Sequence, residues 1–128
     1  MNEAFPDDKF AKVINSFHAN RILGYLKDHG GKLLYGNGKF EETKDGCWIE
    51  RTIILNPWKD SELTKNEIFG PIMKVFTFST FDHLIEEINS GEKPLALYFI
   101  GKTTNNPWKD RLERETSSGM FVVNEVCL

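Results

Sequence analysis

Apolar positions recur along this chain with two different periods. Phe10, Val13, Ile14, Phe17, Leu23 and Leu26 follow one another at spacings of mostly three and four. That period gathers side chains on one face of a helix, and it predicts a helix over about 7–28. Pro6-Asp7-Asp8 suits the positive end of such a helix, and Gly30-Gly31 suits its stop, where a left-handed residue is wanted. Lys32-Leu33-Leu34-Tyr35 reads as a short strand and Gly36-Asn37-Gly38 as a turn. Residues 47–55, rich in Ile and Thr, and residues 72–78 read as extended. Phe81, Leu84, Ile85 and Ile88 mark an amphipathic helix that ends near Gly91. The run from Leu95 to Ile100 is apolar throughout, as a strand covered on both faces would be. Asn106-Pro107 then opens a charged helix, and 119–126 reads as a last strand.

The charged helix has three pairs at i,i+4 spacing: Lys109 with Glu113, Asp110 with Arg114, and Arg111 with Glu115. Each contributes roughly a few tenths of a kcal/mol, and together they describe a solvated face. The string Asn-Pro-Trp-Lys-Asp occurs at 56–60 and again at 106–110 with unlike flanks, so it reads as two independent helix starts rather than a repeat. Strands alternating with helices imply an α/β fold of three layers, a mostly parallel sheet with helices on both faces. Residues 1–128 read as a single domain.

Charge narrows the partners. The net charge of −3 gives no electrostatic reason for nucleic acid or an anionic membrane. The first residues have neither the basic nor the apolar stretch of a signal peptide, and the longest apolar runs fall well short of the ~20 residues that span a bilayer. The expectation is a cytoplasmic protein with reduced thiols. An anchor in a tail following Leu128 lies beyond what these residues address. Cys47 and Cys127 have no neighbouring base in sequence and read as small buried apolar residues. His18, His29 and His83 have no metal-ligand spacing, so no metal site is expected. Gly36-x-Gly38 is followed by Glu41 where a dinucleotide fingerprint needs its third glycine.

The segment that stands out is Glu67-Ile68-Phe69-Gly70-Pro71. An acid and an aromatic two residues apart point the same way in extended backbone. A carboxylate can accept two hydrogen bonds from a ribose diol, and an aromatic face can pack on a flat cationic ring. From these residues alone, a turn with a buried Phe is the stronger reading.

With its neighbour, Asn66-Glu67-Ile68-Phe69-Gly70-Pro71 resembles the Glu-Glu-Ile-Phe-Gly-Pro motif of the aldehyde dehydrogenase superfamily. Ile88 to Tyr98 resembles the stretch that follows it there, and Glu115-Thr116-Ser117-Ser118-Gly119 with Asn124 resembles the later Glu-Thr-Ser-Ser-Gly-Gly and Asn-Asp-Val motifs. Glu-Lys-Pro-Leu-Ala-Leu-Tyr at 92–98 and the helix from His18 to Leu26 are most similar to the class 3 and fatty aldehyde dehydrogenase branch. The resemblance runs from about residue 7 to 128, with the motifs in family order.

It implies part of a catalytic domain, its C-terminal half, from an enzyme that oxidises an aldehyde with NAD or NADP. A cysteine thiolate attacks the aldehyde, hydride passes to the nicotinamide, and a glutamate base assists hydrolysis of the thioester. By the resemblance Glu67 holds the nicotinamide ribose, Phe69 packs beside the ring, and Asn124 lies near the active-site wall. The family's nucleophile, base and dinucleotide-binding domain lie upstream, so no catalytic residue is expected here. The chain alone should be inactive and bind NAD or NADP weakly or not at all. Partners would be the aldehyde and the nicotinamide cofactor through the whole enzyme, with self-association or docking onto a full-length subunit. The alternative is a non-catalytic remnant acting as an interaction module. Two departures matter: Asn66 replaces an acid, and Met120 replaces a glycine, which would be strained if that position needs a positive φ.

Overall fold

The computed structural model describes residues 11–126. Its elements are α1 (Ser16–Gly24), β1 (Lys32–Tyr35), β2 (Phe40–Thr43), β3 (Gly46–Ile49), β4 (Thr52–Leu55), α2 (Glu62–Lys65), β5 (Ile72–Val75), α3 (Phe81–Ser90), β6 (Ala96–Phe99), α4 (Pro107–Glu115) and β7 (Met120–Val123). The chain is α/β, as the pattern implies. Two compact units divide it, one ending at Thr77 and the other starting at Phe78.

In the first unit, β4 lies between β1 and β5, antiparallel to β1 and parallel to β5. Ile54 on β4 is wholly buried with Ala19 and Ile22 of α1 and Leu63 of α2; Cys47, Ile49 and Ile72 complete the cluster. A separate hairpin pairs β2 with β3. Its turn is Lys44-Asp45, followed by Gly46 at φ +129, and so short a link can join only antiparallel strands. Antiparallel pairing therefore accompanies the expected parallel pairing. The second unit is built on one parallel ladder, β6 beside β7, with α4 as the crossover between them. Ile85 of α3 and Leu112 of α4 are its buried side chains. Phe81 stacks on Trp108, with ring centroids 5.3 Å apart.

Every helix starts on a side chain that accepts a backbone N–H of its first turn. Asn15 takes His18 N–H, Ser61 takes Thr64, Thr80 takes His83 and Asn106 takes Trp108. Several sequence expectations shift accordingly. The first helix begins on its Asn15 cap and ends at Gly24 rather than near Asp28, while its expected stretch over 7–10 lies outside the described residues. Gly30 does take the left-handed conformation, at φ +66, but beyond the helix: a Cβ there would fall 2.0 Å from the Trp58 ring. The extended stretch 47–55 is two strands, β3 and β4, with separate partners. The first Asn-Pro-Trp-Lys-Asp does not open a helix at its asparagine. Asn56 sits at φ +48 and the cap of α2 is Ser61, whereas Asn106 does cap α4.

Candidate functional site

Residues 66–72 join α2 to β5 and are held at three points. Asn66 closes α2, its Nδ2 donating to the Glu62 carbonyl at 3.0 Å and the Glu62 carboxylate at 2.9 Å. A glutamate at 66 would lack that donor, so the departure from the family motif has a local use. Arg21 of α1 then takes the middle of the segment: Nη1 donates to the Glu67 carbonyl at 3.3 Å and Nη2 to the Ile68 carbonyl at 2.9 Å. Finally, the Thr52 N–H donates to the Pro71 carbonyl at 2.9 Å, which leads the chain into register with β4.

Ile68 packs against the core. Phe69 turns outward at φ +48 and is 78% exposed. Gly70 has no room for a side chain, since a Cβ would meet Ile22 Cδ1 at 2.6 Å. The turn reading with a buried Phe is therefore half right: the turn is there and the ring is out. Glu67 is exposed, and among the described residues none donates to its carboxylate. A cleft of about 470 Å³ opens beside the ring, lined by Lys12, Val13, Ile14, His18, Arg21 and Phe69.

The C-terminal ends of both parallel ladders carry the same closure. Asn56 follows β4 at φ +48; its N–H donates to the Val75 carbonyl at 2.7 Å, and its Oδ1 accepts the Thr77 N–H at 2.8 Å. Asn124 follows β7 at φ +57; its N–H donates to the Phe99 carbonyl at 2.8 Å, and its Oδ1 accepts the Gly101 N–H at 2.8 Å. In each case an asparagine in the left-handed region, which it tolerates better than most residues, ties off the neighbouring strand two residues past its end. Open α/β sheets bind ligands outside the carboxyl ends of their strands. Met120 carries no strain: it opens β7 outside the positive-φ region, its N–H on the Leu95 carbonyl at 3.0 Å. The glycine that cannot change is Gly119, where a Cβ would lie 2.5 Å from the Leu95 carbonyl oxygen.

Other chemistry-bearing side chains serve structure. Cys47 is 3% exposed in the core, and burial, with a smaller contribution from Glu42, pushes its thiol pKa up. That disfavours the thiolate a nucleophile needs. Cys127 lies outside the described residues. His29 accepts the Gly31 N–H on Nδ1, and the His18 ring stands edge-on to Phe17. Partial burial pulls the Lys74 pKa down, and its Nζ donates to the Thr64 carbonyl at 3.1 Å. Among the described residues no group of three or more His, Cys, Asp or Glu is placed to hold a metal, and no helix is long and apolar enough to cross a membrane.

Sequence reasoning singled out Glu67 and Phe69 and missed Arg21. The signal available was Arg21 four residues before Tyr25, which caps the same helix, the spacing at which the two side chains meet.

Comparison with known proteins places the chain in a family. The profile of the "Aldehyde dehydrogenase family" matches residues 1–128. Aldehyde dehydrogenase family 3 member F1 of Arabidopsis thaliana is 36% identical over 120 residues, covering 92% of this chain and 24% of the relative. The dimeric NADP-preferring aldehyde dehydrogenase of Canis lupus familiaris is 33% identical over 117 residues, covering 91% and 24%. Among solved structures, the substrate-bound state of Staphylococcus aureus AldH superposes with a TM-score of 0.76 at 27% identity, covering 91% of this chain and 24% of that one. The chain spans about a quarter of the length of the relatives it matches. On a profile match over its whole length and these identities, the chain belongs to the aldehyde dehydrogenase family.

Proposed function

We propose that this chain is a segment of an NAD(P)-dependent aldehyde dehydrogenase, supplying the nicotinamide side of the cofactor site and no nucleophile. The observation that carries the reading is the held, outward turn at 67–69: an exposed ring at positive φ beside an exposed carboxylate that has no donor among the described residues. Both side chains fit the nicotinamide half of the cofactor. Glu67 would accept two hydrogen bonds from a ribose diol, and Phe69 would pack against the ring. The nicotinamide, when bound, supplies the hydride acceptor for oxidation of an aldehyde to a carboxylic acid.

On this reading both residues meet only the nicotinamide half, so the segment does not choose between NAD and NADP; the canine relative is described as NADP-preferring. Nor does it hold the whole cofactor. Two charge-assisted hydrogen bonds contribute about 3–6 kcal/mol gross, and association costs roughly as much or more. The chain alone thus binds the nicotinamide half in the millimolar range or weaker. A cytoplasmic setting suits a chain that keeps a free thiol at Cys47.

The test is an NMR titration of the 128-residue chain with nicotinamide mononucleotide. Glu67 and Phe69 resonances should move first, and Glu67→Gln and Phe69→Ala should each weaken the response. Shifts centred elsewhere, or identical in both variants, would overturn the reading. The interaction-module reading is favoured by one observation, the exposure of Ile14, Phe17 and Leu95 at 78%, 75% and 88%. It would place these side chains against a full-length subunit or a second copy.

A further inference from the structure

The left-handed turn at Phe69 is unfavourable for a non-glycine residue, so the surroundings must impose it. One face of α1 does so. Ile22 lies under Gly70 so closely that no side chain fits between them. One turn of the same helix also presents Arg21, whose two terminal nitrogens bridge the consecutive carbonyls of Glu67 and Ile68. The guanidinium is itself fixed. Nη1 donates to the Tyr25 hydroxyl at 2.9 Å, and the group lies over the Tyr25 ring, 5.4 Å from its centroid. Bridging two consecutive carbonyls while also donating to the Tyr25 hydroxyl suits a planar fork, whereas an ammonium is a compact point donor.

We propose that Arg21, braced by Tyr25, is a positioning residue for cofactor contact, setting the direction in which Glu67 and Phe69 leave the backbone. The proposal rests on the nicotinamide reading of those two residues. Arg21 touches no reacting atom; it acts on the peptide groups that bear the side chains that do.

Two measurements on the full chain separate the proposal from the reading beneath it. The first is site-resolved amide hydrogen exchange in the wild type, Arg21→Met, Arg21→Lys and Tyr25→Phe. Removing the fork should speed exchange about tenfold at the two N–H groups that this segment holds, Ile72 on the Gly70 carbonyl and Thr52 on the Pro71 carbonyl, while amides further along β4 and β5 stay near wild type. Lysine should not rescue, and Tyr25→Phe should fall between. The second follows Glu67 and Phe69 resonances on titration with nicotinamide mononucleotide, whose response should be lost in Arg21→Met and Arg21→Lys alike. Unchanged exchange at Thr52 and Ile72, a uniform rise across the unit, or full rescue by lysine would each overturn the positioning role. A wild-type chain that gives no response at Glu67 and Phe69 would overturn the nicotinamide reading, and with it the cofactor half of the proposal. The exchange arm would then still decide whether Arg21 sets the segment.

Discussion

At the scale of single residues, the two asparagines that close the parallel ladders do what few side chains can. Each combines a left-handed backbone with an acceptor on the neighbouring strand's next free N–H. Alanine at 124 loses the hydrogen bond, about 1 kcal/mol, and meets left-handed strain of order 1 kcal/mol or more. Glycine loses only the bond, and aspartate keeps both features. Thermal unfolding of Asn124 variants should therefore rank aspartate near wild type, glycine lower and alanine lowest, with the same order at Asn56. Alanine equal to glycine at both sites would show that the conformation costs nothing. Cys47 illustrates the opposite use of a polar atom. Its thiol pKa is raised in the folded chain, so the neutral form contributes stability below the ordinary thiol range that is lost as pH rises through the raised value. In a Cys127→Ser background, alkylation of Cys47 at neutral pH should be at least about a hundredfold slower in the native chain than in denaturant. Equal rates would mean that the thiol is accessible.

At the scale of elements, α4 shows how a surface charge run acquires geometry. Of the three expected pairs, Lys109 with Glu113 forms at 3.3 Å and Arg111 with Glu115 forms through two contacts of 2.7 Å. The third differs: Arg114 Nε donates to the Asp110 backbone carbonyl. Arg111 does more than its spacing implies, since it also meets Asp82 of α3 at 2.8 Å and lies over the Phe81 ring. Its guanidinium holds the Glu115 carboxyl below the usual range. The pair therefore contributes stability above the ordinary carboxyl pKa and loses it as pH falls through the lowered value. Unfolding midpoints of wild type and Glu115→Gln should differ near neutral pH and converge in acid; a constant gap would assign the effect to something other than charge. Elements with strong periodicity were legible in the sequence: α3, β1, β6 and the start of α4 lie within a residue or two of expectation. Those made by pairing were not. Phe40-Glu41-Glu42-Thr43 has no apolar alternation and is a strand because Gly46–Ile49 lies against it. Glu50 and Arg51 break the expected 47–55 strand because β3 pairs with β2 while β4 joins a different sheet. The outward Phe69 is expected from the family resemblance, but the residues around it alone point to a buried ring, since its direction comes from Arg21 and Ile22, more than forty residues earlier.

At the scale of the whole molecule, the apolar strand over 95–100 does not find the cover that its composition asks for: Leu95 is 88% exposed and Ile100 67%. A chain that spans a quarter of its relatives would show such surface where the rest of a catalytic domain packs in them. Light scattering coupled to size exclusion should show self-association, accompanied by binding of a dye for apolar surface. A sharp monomer that binds no dye and melts above ~65 °C would mean that the chain closes its own core. On the proposed function, this segment carries the nicotinamide-side contacts of an aldehyde dehydrogenase but not its chemistry. The most direct test is the formation of NAD(P)H by the purified chain with hexanal and with benzaldehyde, in parallel with Cys47→Ser and Cys127→Ser. No turnover is expected in any of them. Turnover that persists through purification and vanishes with one of those cysteines would contradict the proposed function and identify a nucleophile within the chain.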